Sequence, residues 1–398
     1  MTIFAQVVDP SPVRLWGLDS TERLRRQVRE IGGIEWLAPD SRLPNDGLIL
    51  LLNGNYLFEL RTLRGLLQYP GAVLISRPEG LAAAALVDAR QAGAMAAFMT
   101  GSADEPEGGL IELDQSSIEA FDENLRSARP PLLERIGEDN REHLESLLYG
   151  NAYRGITDLV TKFVWPRPAR RMVHICANLG LSPNSVTSLG LALVLAACWA
   201  FLNGHYAAGL VAGWCMTFLD TVDGKLARVT IQSSRFGHYY DHVIDLVHPP
   251  FWYLFWGMSL EGPLAESTFD FTALGWTLVA AYLLGRVVEG LFPLLGSCGI
   301  FTWRPFDAWF RLITARRNPC LILLTLSVMI GRPVWGFIAV VGWSALSTGV
   351  LVVRLLVAGV SRLVNGPLQS WLSEADVASG PHAASFRVFG GTRGAFGA

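Results

Sequence analysis

From residue 185 to residue 355 the chain is a succession of apolar runs separated by short polar connections. A hydrocarbon core about 30 Å thick is crossed by roughly 20 apolar residues in a helix, which satisfies its own backbone groups. The runs at 185–203, 206–226, 237–259, 271–293, 318–331 and 334–355 therefore read as six transmembrane helices, the fifth being the shortest. Composition agrees: 51% of the 398 residues are hydrophobic and only 17% charged, too apolar a balance for an ordinary soluble protein. Connections 1, 3 and 5 (NGHY, SLEGPLAESTFD and GRP) carry one Lys or Arg between them, Arg332. The intervening segments carry Lys225, Arg228 and Arg235, then Arg304, Arg311, Arg316 and Arg317; Arg167, Arg170 and Arg171 precede the first run and Arg362 follows the last. The positive-inside rule then puts both termini on the cytoplasmic side, in the inner membrane if the source is bacterial.

Residues 1–145 have a different character and read as a cytosolic α/β domain. DSTERLRRQVREIG (19–32) has Asp19 or Ser20 as a cap and Leu24, Val28 and Ile31 at helical spacing. GLILLLNG (47–54) and GAVLISRP (71–78) are short apolar runs ending in turn residues, as buried strands do. LAAAALVDARQAGA (81–94) reads as helix. Residues 146–184 form a connector in which Phe, Val and Trp mix with Lys and Arg, the pattern of an amphipathic helix on a membrane surface. Residues 185–365 form the six-span domain. The tail, 366–398, is small and polar and is expected to be disordered. No basic start followed by an apolar core opens the chain, so no signal peptide is expected. The five cysteines form no CxxC pair and read as small buried hydrophobes. A net charge of -3 excludes a general nucleic-acid binder.

The chemistry is concentrated in FLDTVDGKLARVTIQSSRFGHYYDHVIDLVHPP (218–250). Asp220 and Asp223 are three apart at the end of the second run. Asp241 and Asp245 are four apart near the start of the third, so each pair shares a helix face. Four carboxylates brought together by a short turn repel one another unless cations lie between them. All-oxygen donors suit hard divalent ions, magnesium before manganese. Acids in a solvated loop would explain Asp220 and Asp223. They would not explain Asp241 and Asp245, which interrupt an apolar run where ionisable groups are costly. Gly224, Ala227 and Gly237 are small enough for a nucleotide to approach the backbone, and Arg228 and Lys225 offer charge to a phosphate. His238, His242 and His248 read as hydrogen-bonding or packing residues near the acids.

Asp220, Asp223, Gly224, Ala227, Arg228, Gly237, Asp241 and Asp245 match D-x2-D-G-x2-A-R-x8-G-x3-D-x3-D at every position. In this the chain resembles the CDP-alcohol phosphotransferases, over about residues 150–365. The resemblance implies transfer of a substituted phosphate from a CDP-alcohol to an acceptor alcohol, with release of CMP. It implies two divalent metals on Asp220, Asp223 and Asp241, with Asp245 as general base and partial ligand. SPNSVT (182–187) resembles the family's Pro-Asn-x-x-Thr element, implying that Asn184 and Thr187 contact CDP along with Asp220, Gly224, Ala227, Arg228 and Gly237. Ser234 stands where relatives often have a donor-facing hydroxyl. Arg311, Arg316 and Arg317 read either as cytoplasmic anchors or as an anion site for a phosphorylated acceptor or headgroup. The expected partners are the bilayer, donor and acceptor, and a second copy of the chain as a homodimer.

The α/β half resembles the sugar-phosphate nucleotidyltransferases, in the layout of proteins that fuse a cytidylyltransferase to a CDP-alcohol phosphotransferase and make an inositol phosphodiester. VVDPSPVRLWG lacks that family's glycine-rich loop, and Asn55 replaces its metal-binding Asp, so the domain is expected to be inactive there. A CDP-diacylglycerol and a soluble CDP-polyol such as CDP-inositol both remain open as donors. A metal-coupled transporter and a non-catalytic membrane scaffold are the competing classes. The first would need an acid-lined route across the bilayer; the second would tolerate loss of the acids.

Overall fold

The computed structural model describes residues 2–38, 41–77, 80–104, 106, 109–118, 121–122, 126–128, 131–260, 269–374 and 379–390. Its first part is a six-stranded mixed sheet of β1 (Ile3–Val8), β2 (Ile34–Trp36), β3 (Leu48–Asn53), β5 (Ala72–Ser76), β6 (Leu81–Asp88) and β7 (Ile111–Leu113), in the order β2-β1-β3-β6-β5-β7. Strand β1 is parallel to β2 and β3, and β6 is antiparallel to β3 and β5. Outside it, β4 (Tyr56–Phe58) pairs with β10 (Leu133–Arg135), and β8 (Phe121–Asp122) with β9 (Ser127–Ala128). Helices α1 (Ser20–Ile31) and α2 (Leu60–Leu66) cover one face: Leu24, Val28, Leu63 and Leu66 pack on Leu50 and Leu52. Helix α3 (Ala89–Met99) covers the other, setting Ala92, Met95 and Met99 on Ile49 and Leu51. A sheet covered on both faces has no wet side, which is why β3 is apolar without alternation.

The expected helix at 81–94 is corrected. Leu81–Asp88 is strand β6, and the helix starts at Ala89 with Asp88 as its cap. The alanines favour helix locally, but ladders to β3 and β5 take both backbone edges and override that propensity. Of the two candidate caps for α1, Asp19 does the capping: its carboxylate accepts from Glu22 N at 2.8 Å. Ser20 instead ties down the preceding loop, accepting from Ser11 N at 2.9 Å.

The α/β part is bolted to the helical part. Trp16 is buried and stacks on Tyr149 of α4 (Arg141–Asn151), with its backbone N–H donating to Glu145. The same apolar cluster takes in Val222, Leu226 and Val229. Arg23, 3% exposed, donates to Val229 O at 3.1 Å, and Arg26 donates to Thr230 O at 2.8 Å. Burial lowers the Arg23 guanidinium to about 10, so it remains a cation at neutral pH. Two arginines thus sit on the carbonyl end of α8 (Tyr206–Val229), where the helix dipole favours positive charge. Helix α8 ends in a Schellman turn, with Gln232 N donating to Ala227 O and Ile231 N to Arg228 O. The left-handed position belongs to Ile231, at φ 50°, where glycine is usual; a β-branched residue is strained there.

Between the two parts lie α5 (Leu159–Phe163) and α6 (Pro166–Asn178), the latter burying Pro166, Ala169, Val173 and Cys176 and exposing a basic face. The helical part continues through α7 (Pro183–Leu202), α9 (Arg235–Ser259), α10 (Phe271–Leu291), α11 (Pro305–Ile313), α12 (Arg317–Met329) and α13 (Pro333–Asn365). Among the described residues three helices are long and apolar enough to cross a membrane: α7, α10 with its following turn, and α13. The α11–α12 pair, bent by 41°, makes a fourth if taken as one broken span. The chain is therefore an integral membrane protein with three to four such spans, where six were expected. Helices α8 and α9 occupy two of the expected places but do not meet that apolar standard; α8 carries Asp220, Asp223, Lys225 and Arg228, and α9 adds histidines and two prolines to its acids. Part of the third connection, 261–268, lies outside the described residues.

Helix α9 contains Pro249 and Pro250, which cannot donate to the carbonyls four residues back. The carbonyl that Pro250 frees, Leu246 O, accepts from the Tyr282 hydroxyl of α10 at 2.7 Å. The expected disordered tail is also corrected, because its described part is packed. Leu368, Trp371 and Leu372 are buried, and α14 (Ala383–Phe389) sets Phe389 edge-on to Trp309 at 5.0 Å. Its few large side chains have a groove to fill, which overall polarity conceals. Residues 391–398 lie outside the described residues.

Candidate active site

The last turns of α8 and the first of α9 face each other across the strained Ile231 turn. Oxygens of Asp220, Asp223 and Asp241 all lie within 4.8 Å of one another. Asp223 is buried; its Oδ2 accepts from Thr187 Oγ1 of α7 at 2.6 Å, and its Oδ1 has no hydrogen-bond partner. An orphaned carboxylate oxygen aimed among two other carboxylates fits a bound cation. Asp245 joins this trio through Arg317. Arg317, at the start of α12, donates to Asp245 Oδ1 at 2.7 Å and Oδ2 at 3.1 Å, and to Asp220 Oδ2 at 2.7 Å.

Two cavities meet at the acids. The first, about 530 Å³, is lined by Asn184, Thr187, Asp223, Gly224, Ala227, Arg228, Ser234, Gly237 and Asp241. The second, about 500 Å³, is lined by Asp220, Asp241 and Asp245 and by seven arginines: Arg126, Arg154, Arg228, Arg286, Arg311, Arg316 and Arg317. Arg154, Gly224, Arg228, His238 and Asp241 line both. Asp245 lines only the second.

Several of the expected residues also hold one another in place. Thr187 reaches Asp223 and orients it. Ser234 caps α9, accepting from Gly237 N at 2.9 Å. Gly237 is needed for a neighbour: a Cβ there would collide with Asn184 Oδ1 and lie 3.0 Å from Ser234 Oγ. Replacing Gly237 with alanine is expected to push Asn184 out of the first cavity while leaving α9 helical. If that cavity takes a CDP-alcohol, as the resemblance implies, steady-state kinetics should show its KM raised about tenfold, the cost of a lost hydrogen bond or two, with thermal unfolding unchanged. Arg228 donates to Ala152 O at 3.0 Å. Lys225 lines the second cavity with its Nζ 4.0 Å from the centre of the Tyr153 ring, a cation–π geometry. His248 is buried edge-on to Trp252, whereas His238 and His242 stack on each other at the second cavity.

The three arginines at 311–317 divide their work. Arg317 is on the acids. Arg316 pairs with Glu289, which also takes Arg286 at 2.8 Å. Arg311 is buried over the Phe301 ring with Nε and Nη1 lacking hydrogen-bond partners. Beside them Asp158 caps α5 and accepts from Asn318 at 2.8 Å. Burial opposes the Asp158 charge, but Arg311 and bonds from Thr161 and Asn318 hold its carboxyl below the usual range. Sequence reasoning passed over Arg154, Arg286 and Glu289. The last two, three apart inside an apolar run, were a readable signal by the same rule that singled out Asp241.

In the α/β part, Asn55 Nδ2 donates to Asp9 Oδ2 at 2.6 Å.

Residues 180–368 match the family model described as CDP-alcohol phosphatidyltransferase. The chain is 33% identical over 119 residues to an archaetidylinositol phosphate synthase of Pyrococcus horikoshii, covering 30% of this chain and 59% of that protein. It is 38% identical over 69 residues to a phosphatidylinositol phosphate synthase of Streptomyces avermitilis, covering 17% and 28%. A phosphatidylinositol phosphate synthase of Mycobacteroides abscessus is 25% identical over 138 residues, covering 34% and 57%. The chain thus spans less than two thirds of the length of each of these relatives.

Proposed function

We propose that this chain, which belongs through residues 180–368 to the CDP-alcohol phosphatidyltransferase family, transfers a phosphatidyl-type group from a CDP-alcohol to a phosphorylated polyol, releasing CMP. The observation that carries this reading is the pair of cavities joined at the acids. The first holds the donor; the second, rich in arginine, holds an anionic acceptor. Partnerless guanidinium nitrogens on Arg311 favour a phosphate there, since a buried charged donor left unpaired is costly. The names of the relatives, inositol phosphate synthases, support the same acceptor class.

Asp220, Asp223 and Asp241 would hold divalent metal, magnesium in our reading. Such an ion supplies charge neutralisation to the pyrophosphate and the departing CMP. Asp245, in the acceptor cavity, takes the proton of the attacking hydroxyl. That oxygen bonds to the lipid-bearing phosphorus as the pyrophosphate P–O bond breaks, and CMP keeps the electron pair. Arg228 pairs with donor phosphate. Arg317 holds Asp245 in position. All six helices α7, α8, α9, α10, α12 and α13 cross the membrane in this reading, α6 lies on its surface, and the acids face the cytoplasm, where CMP is released. The paired Asn55 amide supports loss of any nucleotidyltransferase activity in the α/β domain.

The test is CMP release by purified protein in detergent, with CDP-diacylglycerol and CDP-inositol each offered against a panel of polyols and polyol phosphates. Turnover should require magnesium, stop with EDTA and favour a phosphorylated acceptor. Folded protein that releases no CMP with any pair, or works equally in EDTA, refutes the proposal.

A further inference from the structure

The donor cavity is not confined to the membrane part, because the α/β domain lines it too. Helix α2 turns Thr62, Leu63 and Leu66 into its own core. Arg61 and Arg64, three residues apart and so on one face, line the same cavity as Asn184, Ser234 and Gly237. These two arginines differ in state. Arg61 is engaged by Glu59 at 2.7 Å, and Glu59 also accepts from Asn151 of α4, which fixes α2 against the connector. Arg64 is exposed, and among the described residues it has no ion pair and no hydrogen bond. Its five N–H donors have no partner among the described residues, in a cavity that Asp223 and Asp241 also line.

The position of α2 is set firmly enough for this to matter. Arg23 and Arg26 hold the carbonyls of Val229 and Thr230, and Trp16 is buried against α8. All three lie in the domain that carries α2, and their contacts flank the Ile231 turn that brings the acids together. The cavity is therefore an interdomain one with a fixed wall.

We infer that the α/β domain completes the donor site, with Arg64 binding the nucleotide portion of the donor through its phosphate oxygens. This rests on the donor reading of the first cavity and gives the domain a task that an inactive relic or a brace would not have. A planar, permanently charged fork suits that ligand, and lysine retains the charge without the fork.

The experiment uses the full chain in detergent. CMP is the probe for calorimetric binding, and CDP-diacylglycerol with an accepted polyol phosphate serves for kinetics. Arg64→Glu is expected to weaken CMP and raise the donor KM by about tenfold or more, with the acceptor KM and kcat close to wild type. Arg64→Lys should fall between. Arg90→Glu, an exposed reversal on α3 across the sheet, should match wild type. Arg64 makes no contact that folding depends on, so unfolding temperatures should stay equal. If Arg64→Glu keeps wild-type CMP affinity and donor KM, or if Arg90→Glu is impaired as much, the inference is overturned while the donor reading stands. A folded wild type that binds no CMP overturns both.

Discussion

Asp245→Asn is expected to cut the rate of CMP release by about 10²–10⁴-fold, the range associated with a positioned general base. The amide is nearly isosteric and cannot take a proton at neutral pH. The donor should still bind, because Asp245 lines only the arginine-rich cavity and not the one proposed for the nucleotide. The donor KM and CMP affinity should therefore stay within a few-fold of wild type while kcat collapses. Asp223→Asn should behave differently. Asp223 lines the donor cavity and has an orphaned oxygen among the acids, so its loss should raise the magnesium concentration needed for half-maximal rate. Full activity in Asp245→Asn would remove the base from the mechanism and leave the acceptor hydroxyl to another group.

The candidate site was legible in the sequence to different depths. The four aspartates could be read because carboxylates in an apolar run are expensive and their spacings put each pair on one helix face. The bridge from Asp245 to Asp220 could not be read, since it depends on Arg317 arriving from a helix 72 residues further along. Gly237 shows a similar limit. Its smallness was visible, but the Asn184 side chain that occupies the space belongs to another helix. Strand β6 misled for the opposite reason: its alanines speak for helix, and only its two sheet neighbours overrule them. The tail misled through its average polarity, which hid Trp371 and Phe389. Long apolar helices were plain from hydropathy alone, whereas α8 and α9, which carry the acids, fall short of that apolar standard. Contacts between the two parts, and with them the interdomain cavity, had no local signature at all.

Arg317→Ala is expected to be the most damaging single change outside the acids. The guanidinium makes a fork to both oxygens of Asp245 and a third bond to Asp220. The three side chains are partly buried, so losing the guanidinium costs about 1–3 kcal/mol, because the two carboxylates are left facing each other. The unfolding temperature should drop by several degrees and kcat by 10²-fold or more, in the spirit of misplaced catalytic groups. Arg317→Lys separates positioning from acceptor binding. An ammonium keeps the charge but cannot hold two oxygens of one carboxylate and a second carboxylate in the same plane. If Arg317 positions the base, Arg317→Lys should recover stability and leave kcat depressed by roughly tenfold, with the acceptor KM little changed. If its task is to grip acceptor phosphate, the lysine variant should show the reverse: near-normal kcat and a raised acceptor KM. Arg311, buried with free donors in the same cavity, is the internal comparison. Arg311→Lys should raise the acceptor KM without the kcat loss, so the two arginines, six residues apart in sequence, should sort into different kinetic classes.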